Sequence, residues 1–283
     1  MTAPVRTAVF PVAGRGTRFL PATKSVPKEM LPIVDKPLIQ YAVEEALEAG
    51  ARRLVFITHS SKRAIEDYFN QDAELERALA ESGKSEILQR VQGLLPTDAS
   101  CEFIRQGEPL GLGHAVLCAQ PAVGDEAFFV HLPDDLICSE TGCLAQMAAQ
   151  YEKQGASSIA VEDVPREKTG SYGIVDVDDA QRLKQIVEKP DPKDAPSTLA
   201  VVGRYLLTPA IFRMLEKTGR GAGGEIQLTD AIADLLLEEP VYAFRFAGKR
   251  HDCGSKLGYV EATLDVARTD PEIIEALGGR SLT

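Results

Sequence analysis

Through its first two-thirds the chain alternates short apolar runs with longer segments of helical period, and no other feature constrains the fold as strongly. TAVFPV (7–12), RRLVFITH (52–59), CEFIRQ (101–106), AFFVHL (127–132) and SSIAVEDV (157–164) read as strands. Between them, PLIQYAVEEALEAG closes at Gly50, residues 61–95 carry polar helices, and GLGHAVLCAQ and CLAQMAAQYEKQG repeat the helical spacing. A strand that returns parallel to its predecessor needs a crossover helix. The alternation therefore predicts a doubly wound, largely parallel α/β sheet with helices on both faces.

From about residue 165 the pattern changes. YGIVDVDDAQRLKQIVEKP reads as a hairpin turning at Asp178-Asp179, and AVVGRYLLT as a further strand. PAIFRMLEKTG and IQLTDAIADLLLEE read as helices, VYAFRFAGKRHDC as one strand, and KLGYVEATLDVA as a closing helix. DPEIIEALGGRSLT reads as a short helix and a loose end. With no repeat and no long linker, the expectation is a mixed sheet in a single domain over 1–265. Residues 1–164 would form one half, 165–265 a second, and 266–283 a C-terminal tail.

Where these strands end, the chemistry-bearing residues collect. VAGRGTRFLPATKSVPKEM starts at Val12, directly after the first strand, and combines Gly14 and Gly16 with Arg15, Arg18, Lys24 and Lys28. Glycine backbone N–H groups can cup phosphate oxygens, because no Cβ blocks the approach. The third glycine of a dinucleotide fingerprint is missing, since Phe19 stands there, and no Gly-Lys-Ser/Thr of a P-loop follows. Residues 1–36 carry six Lys/Arg against two acids, on a chain whose formal net charge is −11. A basic site on an acidic body suits a small polyanion and argues against nucleic acid or a membrane surface as partner. Five cysteines, an odd count without CxxC, suit reduced thiols. No apolar run approaches the roughly 20 residues of a membrane span, and the N-terminal run is too short for a signal peptide. A soluble cytoplasmic protein is expected.

The full run G-x-G-T-R-x-x-P-x-T-K-x-x-P-K-x-M resembles the signature of the sugar-nucleotide pyrophosphorylases, nucleotidyltransferases that join a nucleoside triphosphate to a sugar 1-phosphate. The resemblance recurs in order at RQGEPLGLGHAV, LPDD, SYGIV, VEKP, GGEIQLTDAI and HDCGSK, nearly the whole chain. It implies a Rossmann-like, glycosyltransferase-A-like nucleotidyltransferase fold, Mg²⁺ as cofactor and a homodimer or homotetramer. Within the family, the branch resembled most closely uses UTP and glucose 1-phosphate, giving UDP-glucose and pyrophosphate.

The same resemblance assigns roles. Ala13, Gly14, Gly16 and Thr17 would contact the nucleotide, with Gln106 reading the uracil edge and Gly111 approaching the base. Arg18 and Lys28 would neutralise the triphosphate and Lys189 the sugar phosphate. Asp134 and Asp252 would hold Mg²⁺, with Asp134 also counted among the catalytic groups, while the adjacent Asp135 would point elsewhere. Gly173, Glu188, Val202 and Gly203 would line the sugar pocket. Read alone, Asp134 is a turn or cap residue, Gln106 a solvated loop residue and Glu188-Lys189 a surface pair before a proline. The four histidines lack metal-ligand spacing and receive no chemistry. Three other readings stay open at this point: the same reaction with dTTP or N-acetylglucosamine 1-phosphate, a catalytically weak regulatory paralogue, and a dinucleotide-binding oxidoreductase.

Overall fold

The computed structural model describes residues 2–276. Strand β1 (Thr7–Pro11) leads into the glycine-rich loop. A short ribbon of β2 (Pro32–Ile33) and β3 (Lys36–Pro37) follows, then the helix Leu38–Glu48 and β4 (Arg53–Thr58). The first half continues with β5 (Ser100–Arg105), β6 (Phe128–His131), β7 (Asp135–Cys138) and β8 (Ser157–Asp163). The second half contributes β9 (Gly173–Val177), β10 (Leu183–Glu188), β11 (Leu199–Leu207), β12 (Val241–Arg245) and β13 (Lys249–Asp252).

Among the described residues, nine strands form one sheet in the order β10-β9-β11-β6-β1-β4-β5, with β8 paired to β11 and β12 to β8. β6, β1, β4 and β5 run parallel. β11 is antiparallel to β6, β8 and β9, and β9–β10 form the expected hairpin. The sheet is parallel where crossover helices return the chain; the second half docks through β11, antiparallel to β6 and β8, and through β12, parallel to β8. β11 lies at the join between the halves, paired with β6 and β8 of the first.

Alternation along the strands divides the core into two faces. Val9, Val201, Tyr205 and Leu207 pack on one side, with Phe128 and the helix Leu228–Leu235. Ala8, Phe10, Val202 and Leu206 pack on the other, with the helices Leu38–Glu48 and Cys143–Gln154. All nine residues of β11 are buried, as a strand covered on both faces requires.

Two strand readings need correction. VYAFRFAGKRHDC is not one strand. It breaks at Ala247-Gly248, and its second part, β13, leaves the main sheet to pair antiparallel with β7. β7 itself is hidden in the sequence, because DLIC is only four residues long and follows immediately on the Pro133-Asp134 turn. The pairing sets Asp252 opposite Asp135. After the capped helix Lys256–Ala267, the tail begins with a short helix, Pro271–Ala276, and residues 277–283 lie outside the described residues.

Candidate active site

The loop after β1 is shaped by a left-handed turn at Gly16 (φ 64°) and by three short 3₁₀ turns, Thr17–Phe19, Ala22–Lys24 and Lys28–Met30. Thr23 Oγ1 donates to Gly16 O at 2.7 Å, folding the loop back on itself. The last turn is anchored by a buried ion pair, Lys62 Nζ to Glu29 Oε2 at 2.8 Å. With Glu29 pinned inward, the adjacent Lys28 reaches Asp134, Nζ to Oδ2 at 2.5 Å. Burial opposes the charge on Lys28, but Asp134 and Glu29 outweigh it and hold the ammonium above the usual lysine value. Burial likewise opposes ionisation of Asp134, and Lys28 outweighs it, so this carboxyl sits below the usual range. Both groups are charged at neutral pH.

Two adjoining hollows open at the carboxyl ends of the parallel strands, where open α/β sheets place their ligands. The smaller, of about 220 Å³, is bounded by Ala13, Gly14, Gln106, Gly111, Leu112 and Glu225. Its floor needs glycine at 111: φ is 109°, and a Cβ there would lie 2.7 Å from Glu225 Cβ and 2.8 Å from Ile226 O. The chain clasps at this point, with Ile226 N donating to Leu110 O at 2.7 Å and Gly113 N to Ile226 O at 2.8 Å. Gln106 is buried, and its Nε2 donates to Gly111 O at 3.2 Å and to His114 Nδ1 at 2.9 Å. Both amide hydrogens are thereby engaged, which leaves Oε1 as the free acceptor.

The larger cavity, of about 650 Å³, shares Leu112 with the first. Arg18, Asp134, Asp252, Gly173, Glu188, Lys189 and Gly203 all line it. Glu188 is held by Thr229 Oγ1 at 2.9 Å and faces Lys189 Nζ at 3.2 Å. Lys189 adopts φ 45°, uncommon for a residue with a side chain, and its N–H donates to Tyr172 O at 3.0 Å. At the wall of the larger cavity, a Cβ built on Gly254 would stand 3.0 Å from Asp252 Oδ1, 3.1 Å from Asp134 Oδ2 and 3.5 Å from Arg18 Nη1, and these three residues line it. Residues from three distant segments therefore converge on one point.

Fourteen of the fifteen residues singled out from the sequence lie in these hollows or in the loop and ion pair beside them; Gly16 and Thr17 shape the loop without lining either wall. Val202 is the correction. Its side chain is fully buried on the opposite face of β11, and strand alternation turns Val201, Gly203 and Tyr205 to the cavity instead. Asp135, expected to point elsewhere, also lines the cavity. Its Oδ1 accepts from Arg250 Nε at 2.6 Å, and its Oδ2 would lie 2.8 Å from a Cβ at Gly203, so glycine makes the room. Arg250 is committed a second time, to Glu162 Oε1 at 2.5 Å, and lies over the Tyr172 ring. Sequence reading also passed over His114, Thr229, Glu29 and Lys62. Glu29 alone carried a local signal, an acid inside the basic run.

Among the described residues no group of three or more His, Cys, Asp or Glu side chains is set to hold a metal ion, and no helix is long and apolar enough to cross a membrane.

The family model for nucleotidyl transferases matches residues 8–269. The chain is 52% identical over 277 residues to the UTP–glucose-1-phosphate uridylyltransferase of Bacillus subtilis (strain 168), covering 96% of this chain and 94% of that protein. To the protein so named in Haemophilus influenzae (strain ATCC 51907 / DSM 11121 / KW20 / Rd) it is 48% identical over 270 residues, 91% and 92% of the two chains. Among solved structures, the UTP-bound UGPase from Acinetobacter baumannii superposes with a TM-score of 0.90 at 45% identity, over 96% of this chain and 97% of that one. A UDP-glucose pyrophosphorylase complexed with UDP-glucose gives a TM-score of 0.86 at 42% identity, over 94% and 100%. With two adjoining hollows at the carboxyl ends of its parallel strands, and related over nearly its whole length to these enzymes, the chain belongs to the nucleotidyl transferase family, among the bacterial UTP–glucose-1-phosphate uridylyltransferases.

Proposed function

We propose that the smaller hollow takes the uracil of UTP and the larger one glucose 1-phosphate, with the two phosphate groups meeting at Arg18, Lys28, Asp134 and Asp252. The enzyme transfers UMP from UTP to α-D-glucose 1-phosphate, giving UDP-glucose and pyrophosphate. A sugar-phosphate oxygen forms the new bond to the α-phosphorus, and the bond from that phosphorus to the β-phosphate oxygen breaks. The attacking oxygen is already anionic, so no side chain needs to act as nucleophile. The obstacle is to bring two anions together. Alignment can lower such a barrier by roughly 7–11 kcal/mol, and each well-placed counter-charge contributes about 2.7–4 kcal/mol.

One observation carries this reading: the two hollows share a wall at Leu112, and Arg18 and both aspartates converge in the larger of them, beside Lys28 of the basic loop. Gln106 Oε1 is available to accept from uracil N3–H, whereas cytosine presents an acceptor there. Glu188, held by Thr229, is placed to accept from sugar hydroxyls, and Lys189 to meet the sugar phosphate. Lys28 and Asp134 neutralise each other while no anion is bound.

The donor set suits Mg²⁺. Two carboxylates from separate segments, without His or Cys, match an ion that takes one or two protein carboxylates and completes its shell with waters and substrate phosphates. When bound, Mg²⁺ would supply charge neutralisation at the phosphates, held by Asp134 and Asp252. All five cysteines are free thiols, which supports a reducing compartment such as the cytoplasm. The test is pyrophosphate release by the purified chain with Mg²⁺, UTP and glucose 1-phosphate, run beside CTP, dTTP and N-acetylglucosamine 1-phosphate. Release that does not require glucose 1-phosphate, or that is as fast with the other pairs, would overturn the assignment.

A further inference from the structure

Beneath the turn that carries Asp134 lies a charged cluster that the reaction above does not use. Arg204, on β11 at the join between the halves, is 1% exposed and the largest fully buried side chain among the described residues. Its Nε and Nη2 make a two-pronged pair with Glu45 of the helix Leu38–Glu48, at 2.9 and 2.8 Å. The remaining donors face the active-site turn. Nη1 donates to Leu132 O at 3.2 Å and to Gly203 O at 3.4 Å, and Nη2 donates to Asp135 O at 2.7 Å. The carbonyls of Leu132 and Asp135 bracket Pro133 and Asp134, so one rigid guanidinium spans the segment from which the Asp134 carboxylate projects. Glu45 is fixed in turn, accepting from Leu144 N at 3.1 Å and lying 3.2 Å from His131 Nε2.

Stability alone does not call for such a pair. Apolar residues of similar volume commonly serve a core as well as a buried ion pair or better. What apolar residues cannot do is donate to three carbonyls at once, in the fixed fork that arginine supplies. A lysine could keep the charge opposite Glu45 but could not span Leu132 and Asp135.

We propose that Arg204 is a positioning residue for the transfer reaction, setting the Asp134 carboxylate through the carbonyls of Leu132 and Asp135, with Glu45 holding the guanidinium in place. The inference rests on the reading of Asp134 as a catalytic and metal-holding group. Misplacement of a catalytic group by about 1 Å can cost on the order of 10² in rate. Arg204→Lys should therefore lower kcat about 10- to 100-fold while the far wall, read by the KM for glucose 1-phosphate, stays within about twofold.

The decisive experiment is a double-mutant cycle of Arg204→Lys with Asp134→Asn, measuring kcat and the thermal midpoint of all four proteins. If Arg204 acts through Asp134, Arg204→Lys has little further effect on kcat once Asp134 is Asn. Losses that multiply, or a kcat that follows the thermal midpoint across the set, would overturn the inference and leave the reading of Asp134 intact. Near-normal turnover of Asp134→Asn alone would overturn both. Should Arg204→Lys fail to fold, the same cycle is run with Glu45→Gln/Arg204→Met, which removes both charges at similar volume. Wild-type turnover of that folded variant would equally overturn the inference.

Discussion

The two hollows are built from different materials. The hollow proposed for the base is walled mostly by backbone and uncharged side chains, Ala13, Gly14, Gly111 and Leu112, with Glu225 the one carboxylate and a single buried amide, Gln106, whose orientation is fixed by Gly111 and His114. The cavity proposed for the sugar is walled by charged side chains, Asp134, Asp252, Glu188, Lys189 and Arg250, of which Glu188 pairs with Lys189, Asp134 with Lys28 and Arg250 with Asp135. The first can select by shape and one hydrogen bond, the second by charge and hydroxyl geometry. The difference follows from chemistry, since a flat, neutral base offers an edge, whereas a sugar phosphate offers hydroxyls and two negative charges.

If that contrast is right, substitutions in the charged cavity should cost the most. Asp134→Asn and Asp252→Asn should each lower turnover about 10²-fold or more, the scale of losing a key electrostatic partner. The double variant should fall well short of the product of the two losses, because both carboxylates serve one ion. Near-normal turnover in either single variant, or full activity in excess chelator, would break the shared-metal reading.

Next in size is Lys189→Ala, which removes a charge-assisted contact worth about 1.5–3 kcal/mol. KM for glucose 1-phosphate should rise about 10- to 100-fold, with that for UTP changed far less. Equal effects on both substrates would mean that the charged wall does not belong to the sugar alone.

Outside both hollows sits His131, buried on β6 beside Arg204 and Glu45. Burial, reinforced by Arg204 and opposed by Glu45, pushes its imidazole down to about 4. The unfolded chain takes up this proton near the ordinary value of about 6.5, so it binds more protons than the folded one between those limits. Stability from this residue is therefore full above pH 6.5 and is lost as pH falls toward 4, about 2 kcal/mol by pH 5. Urea melts at pH 7 and pH 5 should show this loss in the wild type and a smaller one in His131→Asn. Equal slopes would place the pH dependence elsewhere.

The smallest effect belongs to the smaller hollow. Gln106→Ala removes one uncharged hydrogen bond, worth about 0.5–1.5 kcal/mol, and should lower the preference for UTP over CTP about 3- to 10-fold. An unchanged UTP/CTP ratio of kcat/KM would take Gln106 out of base recognition. His114→Phe should move the same ratio in the same direction, because the amide would lose its orienting partner.

Much of this was legible in the sequence because it is local. Strand and helix periods gave the α/β alternation, and the glycine-basic loop marked where the chain leaves β1 for the larger cavity. The resemblance then named Asp134, Glu188 and Asp252, which the fold brings to the larger cavity, and Gln106, which it sets in the adjoining one. What escaped is long-range or finer than a motif. Glu45 reads as one more acid on an amphipathic helix, and its partner Arg204 stands 159 residues away inside an apolar strand. Val202 and Gly203 are adjacent, yet a strand turns successive residues to opposite faces, and assigning the pocket to both could not survive that alternation. The break at Ala247-Gly248 is invisible to a period count, because both halves of the segment alternate as strands do.

The clasp between residues 110–113 and 225–226 has a consequence for how the two substrates sense each other. Glu225 forms part of the base cleft, and four residues later Thr229 holds the Glu188 carboxylate that faces the sugar. The stretch is pinned at one end by the main-chain bonds to Leu110 and Gly113 and enters the helix Leu228–Leu235 at the other. If a nucleotide seated in the smaller hollow shifts this segment, the shift reaches Thr229 and, through it, Glu188 in the larger cavity. Thermodynamic linkage then requires reciprocity: whatever factor UTP applies to the affinity for glucose 1-phosphate, glucose 1-phosphate applies to the affinity for UTP.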